Sequence, residues 1–127
     1  MSTSPKTPRP RKPASPLQRV GILGVGIMGR AMAANLVKAG FAVSGYDPDP
    51  KAMKHLKAAG GTPCVSAGDL AAGVDVIICA LPSPEALHGA AQQIAACGHR
   101  KLLVVETSTL DIADKTAARD VLQAQGI

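Results

Sequence analysis

Gly24, Gly26 and Gly29 stand at G-x-G-x-x-G spacing, directly after the apolar run Val20-Gly21-Ile22-Leu23 and directly before a run of helical character. A strand that turns at once into a helix through this spacing has a distinct need at each glycine. The first makes the tight turn, the second leaves the helix entrance bare, and the third lets the helix lie close on the sheet. The bare entrance has a chemical use, because the first N–H groups of a helix starting near Met28 lack partners and carry the positive end of its dipole. A second apolar run over 41–46 ends at Asp47. That acid lies about 20 residues beyond the glycines, where a carboxylate accepts a hydrogen bond from a ribose 2′-OH. Strand, glycines, helix, strand and acid in this order imply a frame for a dinucleotide. A glycine-rich turn with no ligand is the plain alternative, and it leaves the strand, the helix and the spacing of the acid unexplained.

The 127 residues give room for one domain, and 46% hydrophobic residues suffice for a buried core. Phe41 and Tyr46 are the only aromatics, so the interior must be aliphatic, which suits parallel strands covered by helices. No apolar run approaches the roughly 18 residues of a membrane span, and a soluble, cytoplasmic protein with no membrane partner is expected. Cys64, Cys79 and Cys97 are odd in number and lack metal-ligand spacing. They read as buried thiols in a reducing compartment, and no metal site is expected.

The formal charge of +5 has a local origin. Lys6, Arg9, Arg11, Lys12 and Arg19 precede the first strand with no acid among them, leaving nine basic and nine acidic residues from Val20 onward. A neutral folded part offers no nucleic-acid surface. Residues 1–18, rich in Pro, Ser, Thr and basic residues, read as a disordered leader that is neither a secretory signal nor a transit peptide. The sharper alternative, that Pro8-Arg9-Pro10-Arg11-Lys12-Pro13 enters a DNA minor groove, has no glycine between its arginines and no second such segment.

From Val20 strand and helix alternate. Strands are expected over 20–23, 41–46, 62–65, 74–80 and 101–105, and helices over 28–39, 51–59, 66–72, 85–97 and 112–124. Gly40, Gly98 and Gly126 are placed to end helices, Ser66 to cap one, and Ile127 to open a further strand. Right-handed crossovers turn this alternation into an α/β, Rossmann-type doubly wound parallel sheet of order 3-2-1-4-5, cut off after about five strands. Its switch point brings the glycines, Leu81 and Thr109 to one crevice. The expected organisation is a leader over 1–18 and an incomplete nucleotide-binding domain over 19–127.

The segment Gly24-Val25-Gly26-Ile27-Met28-Gly29, followed by Met32-Ala33-Ala34-Asn35-Leu36, resembles the opening of the β-hydroxyacid dehydrogenases, the family of 3-hydroxyisobutyrate dehydrogenase, tartronate semialdehyde reductase and 6-phosphogluconate dehydrogenase. Leu81-Pro82 resembles that family's Leu-Pro after the fourth strand, and Glu106-Thr107-Ser108-Thr109 its Asp-x-Ser-Thr substrate segment. The resemblance implies a hydride transfer between a nicotinamide cofactor and a small 2- or 3-hydroxy acid. It implies that Gly24, Gly26, Ile27, Met28 and Gly29 hold the cofactor with Asp47, that Leu81 and Pro82 line its nicotinamide side, and that Thr109 touches it. Ser108 would hold the substrate's carboxylate or hydroxyl. Read from the residues alone, the Ser108-Thr109 pair is a plain N-cap for the next helix.

The chain departs from the family in three places. Glu106 replaces an Asp, Ala86 stands where many members carry an Asn that touches the cofactor, and the chain ends before the family's catalytic lysine segment and all-helical domain. No residue here is therefore assigned a catalytic role, and a homo-oligomer is expected only with that missing domain. Asp47 favours NAD over NADP, since a carboxylate repels a 2′-phosphate; Lys51 and Lys54 on the next helix soften the preference. The fragment is expected to be inactive, and a free-standing NAD(H)-binding or sensing module is the alternative to a dehydrogenase part.

Overall fold

The computed structural model describes residues 19–127, so the readings of the basic leader lie outside the described residues. Five parallel strands, β1 (Arg19–Leu23), β2 (Ala42–Tyr46), β3 (Thr62–Pro63), β4 (Val76–Cys79) and β5 (Leu103–Glu106), form one sheet. The expected order is borne out: β3-β2-β1-β4-β5. Five helices connect and follow them: α1 (Ile27–Lys38), α2 (Pro50–Ala58), α3 (Ala67–Ala72), α4 (Pro84–Ala95) and α5 (Ile112–Gln123).

Alternation along the strands divides the core into two layers. Val20 and Ile22 of β1 face α1 and α2, where they pack with Val43, Ala33, Ala52 and Leu56. Leu23, Ile77 and Cys79 face the other way, onto Leu70 of α3, Leu87 and Ile94 of α4, and Leu122 of α5. β1 is therefore central and covered on both faces, which explains its apolar sequence from Val20 to Leu23. The β5 edge is barer, with Leu103 and Val105 exposed on the α1/α2 side.

Several boundaries differ from expectation, each for a local reason. β3 is only two residues long, because after one more bond, Cys64 N–H to the Gly45 carbonyl, the next amide leaves the ladder. Val65 N–H donates instead to the Asp69 carboxylate at 3.1 Å, at the start of α3. α4 begins at Pro84, one residue before the expected start, with the Ser83 hydroxyl accepting the Ala86 N–H at 3.1 Å, so the Ser-Pro pair supplies both the cap and the first helical residue. Ile127 opens no strand. Its N–H returns to the Leu122 carbonyl past Gly126 at φ +80, which closes α5 in the manner of a Schellman turn. β1 starts one residue before the expected Val20: Arg19 opens it, and its guanidinium meets Asp75 at 2.7 Å.

The cysteines are a partial correction. Only Cys79 is buried, while Cys64 and Cys97 are half-buried, and all three are free thiols. Burial, and secondarily the charge of Glu106, pushes the Cys79 thiol up to about 12 from its ordinary 9.0. In the unfolded chain this thiol ionises near its ordinary value, whereas the fold keeps it protonated. Between these two values stability is therefore expected to fall as pH rises, by up to about 1.4 kcal/mol per pH unit. Denaturant titrations across pH 9–12 check this, since Cys79→Ala should flatten that part of the profile. An unchanged slope in the variant would place the loss elsewhere.

Candidate functional site

α1 leaves β1 toward one face of the sheet and α4 leaves β4 toward the other, so the neighbouring carboxyl ends of these strands open into a crevice. The crevice measures about 700 Å³ and is lined by Gly26, Ile27, Met28, Gly29, Met32, Asp47, Ala80, Leu81, Pro82, Thr107, Ser108 and Thr109. Nine of the ten residues singled out from the sequence thus meet at one place. The tenth, Gly24, lies buried beneath.

The three glycines do different work. Gly24 turns the chain at φ +93, and a Cβ there would fall on the Ala80 carbonyl oxygen. A Cβ on Gly29 would fall on the carbonyl oxygen of Gly24, so the first turn of α1 sits against the turn that precedes it. Gly26 is unlike both. Its backbone is extended, at φ −80 and ψ −158, and a Cβ would meet nothing within 4 Å. Neither backbone conformation nor packing within the described residues requires glycine at this position.

Gly26 is also the N-cap of α1, with no side chain capping that end and no acid in its first turn. α2, α3 and α4 by contrast are capped by Asp49, Ser66 and Ser83. An uncapped helix start facing an open cleft attracts an anion, and a pyrophosphate suits it. Ile27 and Met28 at the mouth are 80% and 69% exposed, leaving an apolar wall uncovered.

Asp47 follows β2 and has both carboxylate oxygens engaged. Oδ2 accepts the Val25 N–H at 2.8 Å and Oδ1 accepts the Asp49 N–H at 2.9 Å. The acid therefore clamps the glycine turn to the start of α2, a role that sequence distance alone did not reveal. Two carboxylate oxygens offer about four acceptor sites, so lone pairs remain for a ribose hydroxyl.

At the opposite end lie the hydroxyls. Ser108 is buried and its Oγ accepts the Leu81 N–H at 2.7 Å, while its own N–H donates to Glu106 Oε1 at 2.9 Å. Thr107 donates both its N–H and its hydroxyl to the Cys79 carbonyl. The helix-cap reading of Ser108 and Thr109 is corrected here: α5 starts later, with Asp111 as N-cap. The Ser108 hydroxyl instead spans the two strand ends, and as an acceptor there it keeps its own hydrogen for a further partner. Met32, Ala80 and Thr107 line the site without having been assigned a role in it, and only their neighbours' motifs pointed there.

The histidines stand elsewhere. His55 Nδ1 accepts from the Arg30 guanidinium at 2.6 Å, His88 Nε2 meets Asp114 at 3.0 Å, and His99 Nε2 donates to the Val74 carbonyl at 2.9 Å. None lines the crevice. Among the described residues no cluster of three or more His, Cys, Asp or Glu could hold a metal, and no helix is long and apolar enough to cross a membrane.

Over residues 19–127 the chain matches the family described as the NAD binding domain of 6-phosphogluconate dehydrogenase. Human mitochondrial 3-hydroxyisobutyrate dehydrogenase is 37% identical over 107 residues, which cover 80% of this chain and 32% of that enzyme. L-threonate dehydrogenase of Cupriavidus necator is 30% identical over 113 residues, 87% of this chain and 38% of the enzyme. The solved structure of 3-hydroxyisobutyrate dehydrogenase from Mycobacterium tuberculosis with L-serine matches at TM-score 0.83 and 32% identity, over 87% of this chain and 38% of that one. The chain thus spans less than two fifths of the length of these relatives.

Proposed function

The chain belongs to the family of the NAD binding domain of 6-phosphogluconate dehydrogenase, and from that premise we propose that residues 19–127 serve as the nucleotide-binding domain of an oxidoreductase acting on a small 2- or 3-hydroxy acid. The observation that carries this reading is the bare Gly26 at the uncapped start of α1, with Asp47 beside it in the same crevice. In this reading the pyrophosphate lies over Gly26 against the N–H groups of α1, and Asp47 accepts from the adenosine ribose. Leu81 and Pro82 flank the nicotinamide, Thr109 touches it, and Ser108 donates its hydroxyl hydrogen to the substrate's carboxylate or hydroxyl. NAD when bound supplies the hydride chemistry; these residues supply position and exclude water from one side. The relatives' names support a hydroxy-acid substrate. The catalytic groups and any homo-oligomer interface then belong to a part of the protein outside these residues, in a cytoplasmic enzyme with no metal, nucleic acid or membrane partner.

Fluorescence titration with NADH and NADPH tests the assignment, with NADH expected to bind more tightly. Tighter NADPH binding would count against Asp47 as the selector. Asp47→Asn should narrow the difference, since it removes the charge that repels a 2′-phosphate. It should also cost about 1–3 kcal/mol of stability, because an amide presents its NH₂ to one of the two N–H groups the carboxylate now accepts. A variant that melts like the parent would mean that the clamp contributes little.

A further inference from the structure

Glu106 has a place in the fold that none of the site roles above uses. It ends β5 with its side chain on the α4/α5 side of the sheet, in register with Cys79. One carboxylate oxygen accepts the Ser108 N–H at 2.9 Å. The other is buried and makes no aligned hydrogen bond, but lies 3.1 Å from the Lys115 ammonium of α5, an ion pair held by charge and not by hydrogen-bond geometry. Ser108 then passes the constraint on, since its Oγ accepts the Leu81 N–H at 2.7 Å. A continuous line of contacts thus runs from α5 through Lys115, Glu106 and Ser108 to the wall of the crevice at Leu81.

We infer that Glu106, anchored by Lys115, is a positioning residue that sets Ser108 and Leu81 for the nicotinamide half of the cofactor. The length of the side chain matters. A glutamate spans the gap between the Ser108 amide and the Lys115 ammonium, and an aspartate, one methylene shorter, cannot keep both contacts without moving one of them. The adenosine and pyrophosphate end is built on Gly26, the start of α1 and Asp47, and neither the ion pair nor the two hydrogen bonds of this line involves those residues. The two halves of the crevice are therefore separable by mutation. The inference rests on the dinucleotide reading above and deepens it.

The test compares two ligands on the full chain by calorimetry: NADH, and ADP-ribose, which keeps the adenosine and pyrophosphate but lacks the nicotinamide. Glu106→Ala is expected to weaken NADH by about tenfold and ADP-ribose by less than about twofold. Lys115→Met should weaken NADH by about threefold, and Lys115→Arg, which keeps the ion pair, should restore it. Glu106→Gln keeps the size and the acceptor for Ser108, so it separates the ion pair from a folding defect; it should resemble Lys115→Met. Equal weakening of both ligands, or unchanged NADH affinity alongside a lower melting temperature, would overturn the inference and leave a merely structural pair. If the parent chain bound neither ligand, the dinucleotide reading itself would fall, and the positioning role with it. Binding of ADP-ribose to the parent with no added affinity for NADH would overturn the positioning role alone.

Discussion

Gly26→Val is expected to abolish NADH binding while the domain stays folded. A Cβ here would meet no protein atom within 4 Å, and the backbone is already extended, a conformation that β-branched residues adopt. It would instead fill the space in front of the α1 N-terminus. The dissociation constant should rise by at least about 100-fold, a loss of about 3 kcal/mol. Stability should change by no more than about 1 kcal/mol, the scale of an altered N-cap. Gly29→Ala is the contrasting variant, because its added methyl falls on the Gly24 carbonyl oxygen. It should lose about 1–3 kcal/mol of stability through overpacking. Circular dichroism and titration on the same samples separate the two effects, and normal NADH affinity in Gly26→Val would remove the basis for the pyrophosphate site.

The second expected result is that the purified chain binds NADH but turns over none of a panel of 2- and 3-hydroxy acids. Oxidising an alcohol requires a group within hydrogen-bond reach that takes the proton as the hydride leaves. Among the described residues lining the crevice, the carboxylate is Asp47, at the ribose end and already accepting two backbone N–H groups. The hydroxyl end offers Thr107, Ser108 and Thr109, whose hydroxyls are too weakly basic. His55, His88 and His99 are each engaged outside it. Turnover that disappears when one of these histidines is changed would show that the active site lies elsewhere.

Much of this was legible in the chain, and the reasons differ by residue. Strand order follows from the alternation of apolar runs with helix-length segments, because handed crossovers leave few arrangements. The fingerprint glycines were legible because each removes a Cβ for a reason tied to its spacing. What escaped depends on contacts between residues distant in sequence. Ser108 reads locally as a helix cap, and only the pairing of β4 with β5 brings its hydroxyl to the Leu81 amide. Asp47 was read for the ligand it would accept, whereas its bond to Val25 exists only once β1 and β2 lie side by side. β3 ended early because a side chain four residues on took a strand amide, a competition that β propensity does not register.

The double engagement of Asp47 bears on how quickly a ligand could be captured. A glycine turn left to itself samples many shapes, and a ligand that must order it loses affinity and speed in doing so. Here one carboxylate holds the turn from the side while Gly29 packs against it from below, both before any ligand arrives. A dinucleotide bound as proposed would meet a turn that these contacts already hold, so the ordering of the turn would add little to the cost of capture.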